Sequence, residues 1–572
     1  MFTRKQELLS YIESLSAEYK IAVEAAPQLL DDANTRFEEQ YHKLHQTLES
    51  GELLVPVVGG FSAGKSTAIN GIIGDEILPV AVTAETAIPA ELRYSHDEYI
   101  LAQNINGNEE RHPVSALTEL SANAANYEVV KVFLNRQALK DIAPFTLVDM
   151  PGFDSALEQH NNAILRYLTR GAFYFYLVNA KDGTLRSQDI RRLHEVMDMG
   201  RNFSIFLTKK DLATESELAE VQAFINDQVA IDLATDVHVG CIDMDDASLL
   251  LKELAKADSN QVFNQLFISA VKDLYYMASA DINSAISALK KSKDEGREQI
   301  ATLQQALSSM MNERERNLRT IQSDSVVSVD RRIISRLESE LNGSVNEFVS
   351  LAKAGNNALG RAISDLVRSS LVSELQKAIG QLSNEVIRNV SGSLNVTLDA
   401  DFNFSDDWKQ NLMSNLQTEV MSSLTSSVNN SAVSKGIGVG GASGILFGIG
   451  RFIPIPLLNI VLAILPGIVD QLFQGAREAR EKERYAEAIR TQVIPSVLRQ
   501  VAPEVSSALA QVSQSMVQAV TEQFEVKISQ QQEILEKAQA DSDASATDIE
   551  ASVTALESVR KNINTMAESN II

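Results

Sequence analysis

The stretch Gly59-Gly60-Phe61-Ser62-Ala63-Gly64-Lys65-Ser66 fits the pattern G-x-x-x-x-G-K-[ST], and its flanks narrow the folds open to the chain. An apolar run (Leu53, Leu54, Val55, Val57, Val58) precedes it. A helix-like stretch (Thr67, Ala68, Ile69, Asn70, Ile72, Ile73) follows. A strand, a tight loop and a helix in direct succession are the setting in which this pattern cradles phosphate. Glycine lets the backbone curl until several N–H groups face one anion, and the helix adds its positive N-terminal end. In such a loop Lys65 reaches the β- and γ-phosphates and the Ser66 hydroxyl ligates Mg²⁺.

Two further segments complete the site. Asp149-Met150-Pro151-Gly152 follows the apolar run Phe145 to Val148. A carboxylate at that strand end holds Mg²⁺ through water, and the Gly152 N–H touches the γ-phosphate. Thr208-Lys209-Lys210-Asp211 follows a third run, Phe203 to Leu207. Asp211 is placed to accept hydrogen bonds from guanine N1–H and N2–H₂. Adenine lacks that donor pair, so a buried Asp211 would be left unpaired against it, which selects GTP and GDP over adenine nucleotides. A last base-contacting loop is weakly marked. Gly240-Cys241 is the better candidate, and Ser269-Ala270 sits in a helical run.

Residues 77–94 read I-L-P-V-A-V-T-A-E-T-A-I-P-A-E-L-R-Y. Leu-Pro, a variable stretch, one threonine and a strand ending Leu-Arg-Tyr resemble the first switch of dynamin-like GTPases, the bacterial members among them. The matching threonine is Thr86; Thr83 competes but is spaced less well from Leu78-Pro79. The loop serine Ser62 also matches the dynamin form. The motif resemblance covers about residues 55–212, and beyond it the likeness is architectural. It implies an α/β P-loop GTPase domain with a mostly parallel sheet and helices on both faces, carried on a long all-α bundle stalk with a hydrophobic tip. It also implies that Ser62 recruits a monovalent cation across a dimer of GTPase domains.

Composition agrees with a folded protein that avoids nucleic acid. Hydrophobic residues make up 44% and charged residues 22% of the 572 positions, and the net charge is −25. Phosphate-backbone binding needs a basic face, so no nucleic-acid partner is expected. An anionic bilayer would repel the chain as a whole, so membrane contact must be local and mostly apolar. The single cysteine, Cys241, rules out an internal disulfide framework and reads as a small core residue. The N-terminus leads into an amphipathic pattern with repeated acids rather than a signal peptide, and a GTP site belongs where GTP is. The expectation is a cytoplasmic protein that associates peripherally with membrane.

Proline placement divides the chain. Seven prolines fall at or before Pro151, and none lies between Pro151 and Pro454. The strongest helix breaker is thus absent from 266–435, where Ile300, Leu303, Leu307 and Met310 mark one amphipathic face and Val271, Leu274, Ala278 and Ile282 another. The division expected is N-terminal helices (1–50), a GTPase domain (51–265), a helical neck and stalk (266–435), a Gly-rich tip (436–473) and returning helices (474–572). Residues 1–50 precede the first strand and are expected to pack on the far C-terminal helices, one of them marked by Val505, Leu509, Val512, Met516 and Val520.

The tip breaks the helical pattern. Seven glycines crowd residues 436–450, then Phe452 to Val469 runs eighteen residues without a charge. Pro454, Pro456 and Pro466 leave an uninterrupted helix of roughly ten residues, against the ~20 a span needs. Three readings stay open: a buried core segment, a hairpin dipping into one leaflet, and a true span. Lys435, Arg451, Arg477, Arg480, Lys482 and Arg484 could hold headgroups and favour the hairpin. The resemblance implies the same, since bacterial members carry a hydrophobic paddle there.

The reaction expected is Mg²⁺-dependent hydrolysis of GTP, with Lys65 and the loop N–H groups stabilising charge, Ser66 and Thr86 on the metal, and Asp149 behind them. Where small GTPases carry a water-orienting glutamine, this chain has Phe153. Where many dynamin-like proteins carry a glutamine before the loop serine, it has Phe61. Those departures keep in view an alternative to a GTPase that works as a homodimer: a nucleotide-gated scaffold with little turnover, in a complex with a second dynamin-like chain. A third reading, from the Gly-rich hairpin, is a pore-forming protein.

Overall fold

The computed structural model describes residues 3–60, 62–80, 88–151, 167, 170–198, 200–235, 237, 239–243, 247–291, 293–321, 326–354, 356–392, 406–425, 482–540 and 546–571. Phe61, Thr83, Thr86, Gly152, Phe153 and the whole 436–473 insert lie outside them. Among the described residues no helix is long and apolar enough to cross a membrane.

Among the described residues nine strands form one sheet: β1 (Leu53–Gly59), β2 (Ala90–Tyr94), β3 (Tyr99–Asn104), β4 (Glu109–His112), β5 (Tyr127–Leu134), β6 (Phe145–Asp149), β7 (Phe173–Asn179), β8 (Asn202–Thr208) and β9 (Val239–Cys241). Their order is β4-β3-β5-β2-β6-β1-β7-β8-β9. From β6 through β9 every pairing is parallel. β1 and β6 are buried along their whole length, as strands covered on both faces must be, which is why they read as unbroken apolar runs. The other half is mixed. β2 runs antiparallel to β6 and parallel to β5, and β3 is antiparallel to both β5 and β4. There the burial alternates, and the outermost strand is Glu-Glu-Arg-His, a charged edge that resists further strand pairing.

The N-terminal region forms two helices, Thr3–Ala25 and Pro27–Ser50, with Pro27 at the first position of the second, where its missing N–H costs nothing. They pack with the Ser259–Lys290, Ile494–Ala540 and Ala546–Asn570 helices. Arg4 bonds the Asn570 carbonyl at 2.7 Å and the Asn264 side chain at 2.8 Å, so the two ends of the chain meet. Tyr19 stacks on Phe37 with ring centroids 4.2 Å apart, and Trp408 meets Phe524 edge-on at 5.0 Å. Asp258 starts the Ser259–Lys290 helix by accepting from the Asn260 and Gln261 N–H groups. Val505, Leu509, Val512, Met516 and Val520 are all buried on the Ile494–Ala540 helix.

Candidate nucleotide site

β1 ends at Gly59, whose φ of +152° favours glycine. A Cβ there would lie 2.3 Å from the Leu177 carbonyl oxygen on β7, so only glycine lets the loop turn so close to the neighbouring strand. Gly64, with φ +80°, caps the Lys65–Ile73 helix in the left-handed region. Ser62 and Lys209 adopt φ of +63° and +56°, the strained conformation that non-glycine residues hold chiefly at functional loops. Gly60 and Ala63 are buried and Thr67 half-buried, while Ser62 is exposed.

Lys65 is buried, and its ammonium curls back to donate to the Gly59 and Gly60 carbonyls at 3.2 and 3.1 Å. Ser66 Oγ donates to Asp149 Oδ2 at 2.7 Å, joining the helix start to the end of β6. Burial pushes the Asp149 carboxyl up to about 6, against the opposing pull of the Ser66 hydrogen bond and the Lys65 charge. Asp149 Oδ1 is buried and has no hydrogen-bond partner among the described residues. An orphaned carboxylate oxygen beside a hydroxyl, both within reach of a phosphate loop, is the oxygen donor set a hard divalent cation takes. The residues therefore fit Mg²⁺, with Ser66 as ligand and Asp149 behind it.

Thr208, at the end of β8, is fully buried and its hydroxyl faces the Ala63 and Val178 carbonyls at 2.9 and 3.3 Å. That contact ties the end of β8 to the loop at 59–66. Asp211 stands on the turn Lys210–Leu212 and is exposed, where the sequence led us to expect a buried reader. A carboxylate on a turn at the sheet's rim meets bulk water. Lys210 pairs with Asp243 at 3.1 Å, which brings the segment after β9 to the same loop. Cys241 is half-buried rather than a core residue, because the edge strand β9 has sheet on one side only. Ser269 is far from this loop in role: its hydroxyl lies 2.7 and 2.6 Å from the Asn411 and Asn415 side chains within the helical bundle.

One positioning residue was missed. The Asn70 side chain brackets Leu78, donating to its carbonyl at 2.8 Å and accepting from its N–H at 2.9 Å. It anchors the start of the Thr86 segment to the phosphate-loop helix. The signal was an amide amid Ala68, Ile69, Ile72 and Ile73.

The profile of the Dynamin family matches residues 55–211, the span that holds all three motifs. These residues form a dynamin-family domain. Members of that family are GTPases. The chain is 24% identical over 287 residues to Dynamin-like protein 1 of Campylobacter jejuni, covering 39% of each. It is 25% identical over 240 residues to the Probable transmembrane GTPase FZO-like, chloroplastic, of Arabidopsis thaliana, covering 41% of this chain and 23% of that one. It is 24% identical over 213 residues to the uncharacterized protein in the xynA 3' region of Caldicellulosiruptor, covering 34% and 51%. The chain thus spans about half, or less, of the length of these relatives. A chain from the structure of an oligomerised bacterial dynamin pair, described as a mechanism for long-range sensing and tethering of membranes, aligns over 93% of this chain and 91% of its own. The identity is 12% and the TM-score 0.31, too low to carry the arrangement over.

Proposed function

We propose that the chain binds GTP with Mg²⁺, hydrolyses it, and uses nucleotide-dependent pairing of its dynamin-family domains to tether or remodel membrane. The observation that carries this reading is the Ser66–Asp149 hydrogen bond with its orphaned Oδ1, set beside a loop pinned by Thr208. Mg²⁺, when bound, neutralises charge on the phosphates. Lys65 leaves the Gly59 and Gly60 carbonyls for the phosphates. The N–H groups at the start of the Lys65–Ile73 helix hold the β-phosphate, and Asp211 reads the guanine edge. Thr86 and Gly152 sense the γ-phosphate, and Ser62, held in a strained backbone, takes a monovalent cation shared between two copies. Residues 436–473 enter one leaflet. The stalk division given above, and a second dynamin-like chain as partner, belong to the same proposal.

The test is multiple-turnover phosphate release measured against protein concentration, with and without vesicles. Rates that rise with both support the proposal. A rate indifferent to both points to a nucleotide-gated scaffold, and dye leakage from vesicles without nucleotide points to a pore.

A further inference from the structure

Glu91 is an acid on a short strand that also carries Arg93. It lies on β2 between Ala90 and Leu92 and is fully buried. Tyr167 donates its hydroxyl to Glu91 Oε1 at 2.7 Å, and Arg170 Nη2 lies 3.6 Å from the same oxygen. Arg93 Nη2 donates to Oε2 at 2.5 Å, and the other arm of the Arg93 guanidinium pairs with Glu52. Glu52 stands between the Pro27–Ser50 helix and β1. Next to it Gly51 abuts Phe263 and Phe267 so closely that a Cβ would lie 3.0 Å from either ring. Lys5 on the first helix donates to the Glu49 carbonyl at 2.6 Å, on the same joint.

Burying a carboxylate is costly, and an apolar side chain would fill β2 as well, so a buried ion pair is weak evidence of stabilisation. What the arrangement does supply is connection. β2 leads directly out of the Thr86 segment, and five residues reach at most about 18 Å. Tyr167 and Arg170 follow the Asp149-to-Gly152 motif in the chain. One carboxylate therefore touches what lies beyond both γ-phosphate sensors, and its arginine partner touches the root of the helical bundle. Contacts of this kind form the contiguous network through which two sites can bias each other.

We propose that Glu91 is a positioning residue that locks the strand after Thr86 to Tyr167 and Arg170, and through Arg93 and Glu52 passes their displacement to the bundle. The inference rests on the nucleotide reading given above. The chain supplies its own reporter, since Trp408 is its single tryptophan and lies in the bundle against Phe524.

The experiment uses the full chain with Mg²⁺ and measures Trp408 emission and calorimetric affinity for GDP and for a non-hydrolysable GTP analogue. In wild type the analogue is expected to shift the emission and GDP is not. Glu52→Gln and Tyr167→Phe are expected to bind GDP within about threefold of wild type, lose the shift, and change the analogue-to-GDP affinity ratio by about fivefold or more. Glu91→Gln is expected to do the same where it folds, and the other two variants carry the test where it does not. A shift that survives in Glu52→Gln and Tyr167→Phe with an unchanged ratio overturns the proposal. So does a wild type that binds the analogue without any shift. A role confined to stability would lower the melting temperature of all three variants and leave shift and ratio alone. If wild type binds neither nucleotide, the nucleotide reading itself fails, a result distinct from the loss of coupling.

Discussion

Lys65 shows how far a single side chain can be argued. Its ammonium is buried against two loop carbonyls, the kind of acceptor a buried charge demands. Lys65→Ala removes the cation proposed to meet the β- and γ-phosphates and should abolish GTP binding. Calorimetry that still finds micromolar affinity would refute the loop assignment. That Ser66 and Asp149 should converge beside Lys65 was legible from sequence because the motif fixes their types and order. Asn70 was not, because a lone amide reads as a surface residue until its two bonds to Leu78 are seen. Nor was the exposure of Asp211, since burial at a loop tip depends on what packs over it. Lys527 was invisible for the same reason. It is buried 4.3 Å from the Trp408 ring centroid, and burial pushes its pKa down to about 7 while Asp281 pulls the other way. The unfolded chain keeps that proton up to about 10.5, so between the two values it binds more protons than the folded state. Stability from this group therefore rises with pH across that window. Lys527→Met should raise the melting temperature most below pH 7, with the gain shrinking toward pH 10. Asp281 titrates at about 6 in the fold, below the window. A gain independent of pH from 6 to 10 would show that Lys527 carries no such penalty.

At the scale of elements, apolar runs ending in Gly59, Asp149 and Thr208 told where strands stop, because parallel strands buried on both faces must be continuous. They did not tell how β2 to β5 pair. Nothing in Ala90-Glu91-Leu92-Arg93-Tyr94 states that its neighbour β6 runs the other way. The docking of the Ser187–Asp198 helix was equally hidden. Arg368, on the Asn356–Gly392 helix, is fully buried and donates to Glu195 at 2.8 Å, while Arg192 meets Asp365 at 2.5 Å. Periodicity would have placed such charges on a solvated face. Removing Arg368 leaves Glu195 to the buried Arg192 guanidinium 3.6 Å away, so the loss falls toward the lower end of the about 3–5 kcal/mol that breaking a buried pair costs. Arg368→Ala should therefore lower the urea midpoint by that equivalent. A change of under about 1 kcal/mol, the usual worth of an exposed pair, would mean that water reaches this interface. Gly59→Ala tests the other contact between elements. A Cβ 2.3 Å from the Leu177 carbonyl must push β1 from β7, so nucleotide affinity and melting temperature should fall together. Wild-type affinity in this variant would show that the loop does not depend on the close approach.

For the whole molecule the question is what the −25 net charge permits. A chain this acidic is repelled by an anionic bilayer at a distance, so adhesion must come from a patch that outweighs the field locally. Residues 436–473 with their flanking cations are the stretch of sequence with that character, and they are the basis of the membrane proposal. Two contributions can be separated by salt. Headgroup attraction to Lys435, Arg451 and the Arg477 to Arg484 cations is screened within about 8–10 Å at physiological ionic strength, whereas apolar insertion is not. Flotation on anionic vesicles is thus expected to weaken but persist in high salt. Leu462→Asp together with Ile464→Asp places two charges in the eighteen-residue uncharged run. Each charge at membrane depth costs roughly 2.5–3.5 kcal/mol, enough for the pair to abolish flotation while GTP binding at the dynamin-family domain stays intact. Flotation unchanged in the double variant would place 436–473 away from lipid, and the tethering proposal would then need another surface.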